Sequence, residues 1–268
     1  MWSRLRRSIN GHLWLLGLWL LCASDVQARQ ALFAAMYDAP PFIMARSTVT
    51  SESDAEGIDW ELLQELASRS GIDIYPLRYP LGRALKDVGS GKMDIITGLT
   101  LQMANQYQLG HLEQPYYQCH VRFYATAALA PKIHRYQDLS GKIIGHVRGA
   151  DYFHTFDQDR SLRKSAVNHL HQLPGKLLRQ YNQLIIAQDC QMDYLLAKLG
   201  LQQRIQPTRY DPGIPVSLYV GYSRQTLSAS TVSRLNQALR DMLAEGWLQQ
   251  VADSYIHPLS SPVTPALP

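Results

Sequence analysis

Apolar residues along this chain fall into short runs and helical stripes that alternate. Residues 31–36 (ALFAAM) form an apolar run that stops at Tyr37-Asp38-Ala39-Pro40-Pro41, where two prolines remove two donors and end a strand. Residues 47–56 are polar, rich in Ser and Thr and without period, and read as a loop. Asp59 then offers a helix N-cap, with Ile58, Leu62, Leu63, Leu66 and Ala67 as the buried stripe and Gly71 as the stop. Residues 72–79 read as a strand interrupted by Pro76. A second helix carries Leu81, Ala84, Leu85 and Val88, closed by Gly89 and Gly91. Residues 94–98 (DIITG) make a short buried strand. This β-α-β-α-β order predicts a parallel sheet flanked by helices.

After Pro115 the pattern restarts. Residues 121–127 and the segment following Gly141 read as strands, residues 173–181 as a helix and residues 184–187 as a strand. Met192, Leu195, Leu196 and Leu199 then line a helix stopped by Gly200. Pro207, Pro212, Gly213 and Pro215 mark an exit, followed by a strand over residues 216–222 and two closing helices. From Pro258 the tail is rich in Pro and Ser and is expected to fray.

The first residues belong to another category. Arg4, Arg6 and Arg7 precede a nine-residue apolar run, Leu13 to Leu21, and Val26-Gln27-Ala28 places small residues before a cleavage point. This is the pattern of a secretory signal peptide cut after Ala28, and nine residues fall far short of the roughly 20 that span a bilayer. Leu21 before Cys22 argues against a lipoprotein. The protein is therefore expected in the periplasm. The net charge of +4 on 268 residues is small. It includes no cationic run in the mature chain, which excludes a nucleic-acid footprint.

The familiar catalytic and phosphate-binding motifs are absent: no GxGxxG follows a strand, and GxxxxGK[ST], HExxH, GxSxG and CxxC do not occur. His169-x-His171 is the one close histidine pair and reads as a solvated helix face rather than a metal site. No cofactor and no metal are expected. Cys119 and Cys190 permit one disulfide in an oxidising compartment. Two buried free thiols are the preferred reading.

Several stretches resemble, in order, the family 3 periplasmic solute-binding proteins, the amino-acid receptors of ABC transporters. They are Pro40-Pro41-Phe42, residues 57–63 (GIDWELL), residues 90–96 (SGKMDII), residues 114–117 (QPYY), residues 138–149 (DLSGKIIGHVRG), residues 235–239 (LNQAL) and the segment from Glu245-Gly246 to Tyr255. The resemblance covers residues 31–257. It implies a two-lobed α/β fold of the type II periplasmic-binding-protein kind, each lobe a mainly parallel sheet flanked by helices, with two crossing strands as hinge. The implied boundaries are a signal peptide at 1–28, the first part of lobe 1 at 29–119, lobe 2 at 120–215, a return to lobe 1 at 216–257 and a tail at 258–268.

Site residues follow from the same resemblance. In lobe 1 the contacts would come from Thr97, Gly98 and Thr100, with capping of the next helix as the competing role for the threonines. In lobe 2 they would come from the turn containing Arg148, Gly149 and Asp151, the last of which also fits an N-cap. Asp189 matches the carboxylate that receives a ligand's amino group, and equally fits a helix cap. Tyr37 and Phe42 are the candidate stacking rings. The family's carboxylate-gripping Arg is replaced by Asn105, and Arg83 or Arg148 are the substitutes to consider, each with ordinary surface arginine as its alternative. The implied function is capture of a small polar solute by a monomer that serves a membrane permease, with no enzymatic activity. The alternatives are a sensing module read by a membrane signalling partner, and a periplasmic cyclic-acid dehydratase using Asp151 or Asp189 as acid or base.

Overall fold

The computed structural model describes residues 30–45 and 55–256. The segment read as a signal peptide, most of the 47–56 loop and the tail from Pro258 lie outside these described residues. The first lobe opens with β1 (Ala31–Met36), β2 (Met44–Ala45), β3 (Ala55–Glu56), α1 (Ile58–Ser70), β4 (Asp73–Arg78), α2 (Leu81–Gly89), β5 (Ile95–Leu99), α3 (Leu101–Gln106) and β6 (Gly110–His111). The long strand β7 (Tyr117–Thr126) leads to the second lobe, made of β8 (Ile143–Val147), α4 (His154–Gln158), β9 (Arg163–Val167), α5 (Gln172–Leu178), β10 (Leu184–Gln188), α6 (Asp189–Lys198) and β11 (Ile205–Pro207). Strand β12 (Pro215–Tyr222) returns, and α7 (Ala229–Ala244) and α8 (Trp247–Ile256) close the chain.

The strand order is β4-β1-β5-β12-β7-β10-β8-β9. β1 runs parallel to β4 and β5, and β8 runs parallel to β9 and β10. The two crossing strands divide their length between lobes. Pro215–Leu218 of β12 pairs antiparallel with Tyr117–His120 of β7. Beyond that waist β12 pairs with β5, and β7 pairs with β10 and β11. Bending at two adjacent strands needs little repacking of either sheet, which is the geometry of a hinge.

Apolar positions sort accordingly. Leu32, Ala34, Leu62, Leu66, Leu235 and Leu239 pack one side of the first sheet, and Ala35, Leu85, Val88 and Ile96 the other. Phe123, Ile144, Phe156 and Ile186 fill one side of the second sheet, and Tyr124, Leu173, Ile185 and Met192 the other. Pro76 sits on β4, at the end of the strand order, where a missing donor costs no ladder bond. β9 was not legible from the sequence, because an edge strand reading Arg163-Lys164-Ser165-Ala166-Val167 shows no apolar alternation.

The free-thiol expectation is overturned: Cys119 and Cys190 form a disulfide. The reason lies in the register. β10 and β7 pair antiparallel from Ile185↔Tyr124 to Gln188↔Val121, and two further steps of that register set Cys190 opposite Cys119. The bond thus ties the start of α6 to a strand already beside it, at the waist where β7 pairs with β12.

Candidate functional site

In parallel sheets the carboxyl ends of strands and the helices that follow present unpaired backbone groups, and solutes bind there. Four such ends meet in this fold. A cavity of about 650 Å³ is lined by Asp38-Ala39-Pro40 after β1, by Val147 and residues 150–152 at and after β8, by residues 168–171 after β9, and by Ala187 and Gln188 at the end of β10. Its remaining wall is one face of α6. The two lobes touch across it. Gln102 Nε2 on α3 donates to Asp151 Oδ2 at 3.1 Å, and the Tyr194 hydroxyl on α6 contacts Met44 Sδ at 2.8 Å.

Behind the first lobe's edge lies a buried polar assembly. The register of β12 on β5 shifts between Tyr219 and Gly221, so Thr97 and Gly98 bulge from the ladder. Gly98 then satisfies its backbone through tyrosines: its N–H donates to the Tyr116 hydroxyl and its carbonyl accepts from the Tyr37 hydroxyl, both at 3.1 Å. The Tyr116 hydroxyl in turn bonds the carboxylate of Asp59. Asp59 was expected as the helix cap. Instead Gly57 takes the cap position, and Asp59, 1% exposed, points inward. Burial pushes its carboxyl up to about 6, with the Tyr116 hydrogen bond opposing the shift. The fully buried Thr97 lies against the same carboxylate and likewise opposes the shift. Burial first, then the charge of Asp59, holds both tyrosine hydroxyls above their usual range.

Gly98 has φ +69, and a β-carbon there would collide with the Tyr37 hydroxyl. Gly98→Ala is therefore expected to cost roughly 2 kcal/mol through left-handed strain and displacement of Tyr37. Urea titration would measure this, and an unchanged midpoint would contradict the packing described.

Of the eleven residues singled out in the sequence, Asp151 alone lines the cavity. Phe42 is 3% exposed and packs edge-on to Tyr117 at 5.6 Å, so it is a core ring rather than a stacking platform. Tyr37 is turned onto Gly98. Thr97 is buried, and Thr100 accepts from Met103 N at 3.3 Å, its capping role. Asn105 is exposed on α3, outside the lining. Arg83 is exposed, bonds Asp87 at 3.3 Å and lies over the Tyr79 ring. Arg148 stands one residue behind the wall, donating to the lining residue Asn168 at 3.3 Å. Gly149, with φ +75, shapes the turn before Ala150 and Asp151.

Asp189 serves the hinge. Its Oδ1 accepts from the backbone N–H of His120 at 2.8 Å and of Cys190 at 2.7 Å. His120 Nδ1 lies 3.5 Å from its Oδ2. Gln188, not Asp189, is the residue that caps α6 by position and lines the cavity. Asp189 and the two cysteines place three ligand-type atoms within 4.8 Å, but both sulfurs are spent in the disulfide.

The sequence reading named few of the residues that line the cavity. Gln191, Tyr194, Leu195, Lys198 and Leu199 recur at helical spacing on one face of α6 and its C-cap, and of these the sequence reading named only Leu195 and Leu199, as part of the helix's apolar stripe. Leu199 is 49% exposed. His169 and His171 are not on a helix; they stack at 5.5 Å in the loop before α5 and both line the cavity. Asp38 is a wall residue that also pairs with Arg78.

Residues 32–258 match the family model described as bacterial extracellular solute-binding proteins, family 3. No curated protein matches the chain. Among solved structures, the second substrate-binding domain of Lactococcus lactis GlnP in open conformation is 18% identical, with 86% of this chain and 97% of that one covered at a TM-score of 0.65. The Streptococcus pneumoniae amino acid ABC transporter substrate-binding protein AbpA, bound to L-arginine, is 15% identical, with coverages of 85% and 94% and a TM-score of 0.67. The GluR0 ligand-binding core from Nostoc punctiforme, in complex with L-glutamate, is 15% identical, with coverages of 85% and 100% and a TM-score of 0.66. At such identities the likeness establishes the fold.

Proposed function

Since the chain belongs to the family 3 bacterial extracellular solute-binding proteins, we propose that its interlobe cavity captures a small polar solute and that closure of the lobes presents the loaded protein to a membrane permease. The observation that carries this reading is the cavity itself. It is bounded by strand ends of both lobes, and those lobes are joined through two neighbouring strands. Backbone amides at these ends, with Gln188, Gln191, Asn168 and Asp151, supply donors and acceptors. Exclusion of water on closure strengthens each contact.

Among the described residues the lining contains no arginine; its one lysine is Lys198, and His169 and His171 line it as well. A free α-amino acid placed at the first-lobe edge would have its carboxylate without a bidentate partner. Breaking such a buried pair costs roughly 2–5 kcal/mol. Free α-amino acids are therefore expected to bind weakly. Calorimetry with the common amino acids checks this, and micromolar binding of any of them would contradict it.

For capture itself, a thermal-shift screen of metabolite pools identifies a stabilising solute. Small-angle scattering with that solute is expected to show a smaller radius of gyration at unchanged secondary structure. An unchanged profile at saturation would contradict a closing cleft. The neighbouring genes separate delivery to a transporter from sensing: a permease and ATPase support the first, a kinase or cyclase the second.

A further inference from the structure

We infer that the cavity takes an extended zwitterion, a short peptide with a free carboxylate, rather than a single amino acid. The inference rests on the cleft reading above and adds the ligand's class. Length is the first argument. Gln191, Tyr194, Leu195, Lys198 and Leu199 all line the cavity, at i, i+3, i+4, i+7 and i+8 along α6. At 1.5 Å per residue this wall runs about 12 Å. One amino acid extends about 3.5 Å of backbone, whereas three extend about 10 Å. A single amino acid leaves most of that wall uncovered.

The order of charges along the wall is the second argument. β8 and β10 are parallel, so the loop after β8, which carries Asp151, lies at the same sheet edge as Gln188 and the start of α6. Asp151 accepts only the neutral amide of Gln102 among its hydrogen bonds in the described residues, and so offers a carboxylate for an ammonium. Lys198 ends α6, nine residues and about 13 Å along the helix from its first residue, Asp189. It is exposed, with its ammonium 5.8 Å from the centre of the Tyr194 ring. An acid near the start of this wall and a base at its far end suit the two termini of a short extended peptide. An extended polyamine would meet a like charge at the far end.

What lies between suits a peptide backbone. Gln188 and Gln191 are amides that both donate and accept, and Asn168 keeps its N–H₂ free to donate because Arg148 occupies its Oδ1. Leu170, Leu195 and the exposed Leu199 offer apolar surface for peptide side chains. A built polar solute site with such a long apolar flank is more than a headgroup pocket requires.

Calorimetry of the mature protein with Ala-Leu-Ala, its C-terminal amide, free L-leucine and spermidine tests the inference. The tripeptide is expected to bind at least a hundredfold more tightly than leucine. Amidation is expected to cost about tenfold, the scale of one partly exposed charge pair. Lys198→Gln, an exposed change expected to leave the melting temperature unaltered, should erase the difference between acid and amide. Tighter binding of leucine or spermidine than of the tripeptide would overturn the peptide class, as would an acid–amide preference that survives Lys198→Gln. Silence from all four probes would overturn it as well. The scattering measurement with a screened solute judges the cleft separately, so failure of the peptide class and failure of the capture reading give different results.

Discussion

Replacing both cysteines, as Cys119→Ala with Cys190→Ala, is expected to lower stability by about 4 kcal/mol. The disulfide spans 71 positions, and a closed loop of that length removes chain entropy of this order from the unfolded state. For a chain of this size the melting temperature should fall on the order of 10 °C. The same cross-link predicts that denatured but unreduced protein takes up no alkylating label at either cysteine. Two labels per chain would show that the bond is absent. Hinge motion should survive the double replacement, because the pairing of β7 with β10 and with β12 that forms the waist does not depend on the bond. A ligand-induced change in scattering that appears only in the reduced protein would contradict this.

The second large effect concerns Asp59. Its carboxyl is raised from 3.8 to about 6 by burial, so the folded state holds this proton more tightly than the unfolded state does. The resulting stabilisation is complete below the unfolded value near 4 and is lost as pH rises through about 6. At pH 7 and above the ionised, buried carboxylate costs roughly 2–3 kcal/mol. Asp59→Asn removes the charge and keeps a group able to accept from Tyr116. The variant is expected to be more stable than the parent at pH 8 and to lose this advantage near pH 4. Urea midpoints taken from pH 4 to pH 8 give the comparison. Parallel profiles for the two proteins would show that Asp59 is not the buried acid described here.

Much of the scaffold was legible because periodicity reports burial. β1, α1, α2, β5, β10, α6, β12 and the two closing helices each carry a stripe or run that faces a core, and each formed where that pattern predicts it. Segments that bury little left weaker marks. β9 lies at an edge and β11 is three residues long, so neither needs alternation. The disulfide was hidden for a different reason. It depends on which residues of β7 and β10 stand opposite, and register is a tertiary fact that spacing of 71 residues does not encode.

The site was less legible than the fold. Asp59 illustrates why: an acid in the first turn of a helix is ordinarily a solvent-facing partner of the helix dipole, and only the close approach of Tyr116 and the Thr97–Gly98 bulge makes it an interior group. Asp189 looks the same in sequence whether it meets a ligand, caps a helix or holds the hinge strand through His120. Conversely, Leu199 reads as part of the helix's apolar stripe and Tyr194 carries no mark in the sequence, yet both line the cavity because α6 presents a second stripe beside its buried one. A helix with two functional faces gives one apolar period, and the weaker face is lost in it.

The account stands most directly on where the solute sits. A crystal structure with the tightest binder from the thermal-shift screen is expected to show it enclosed between Asp38–Pro40, Asp151 and the face of α6 that carries Gln191, Tyr194 and Lys198. Solute density elsewhere on the protein, with this cavity empty, would contradict the account.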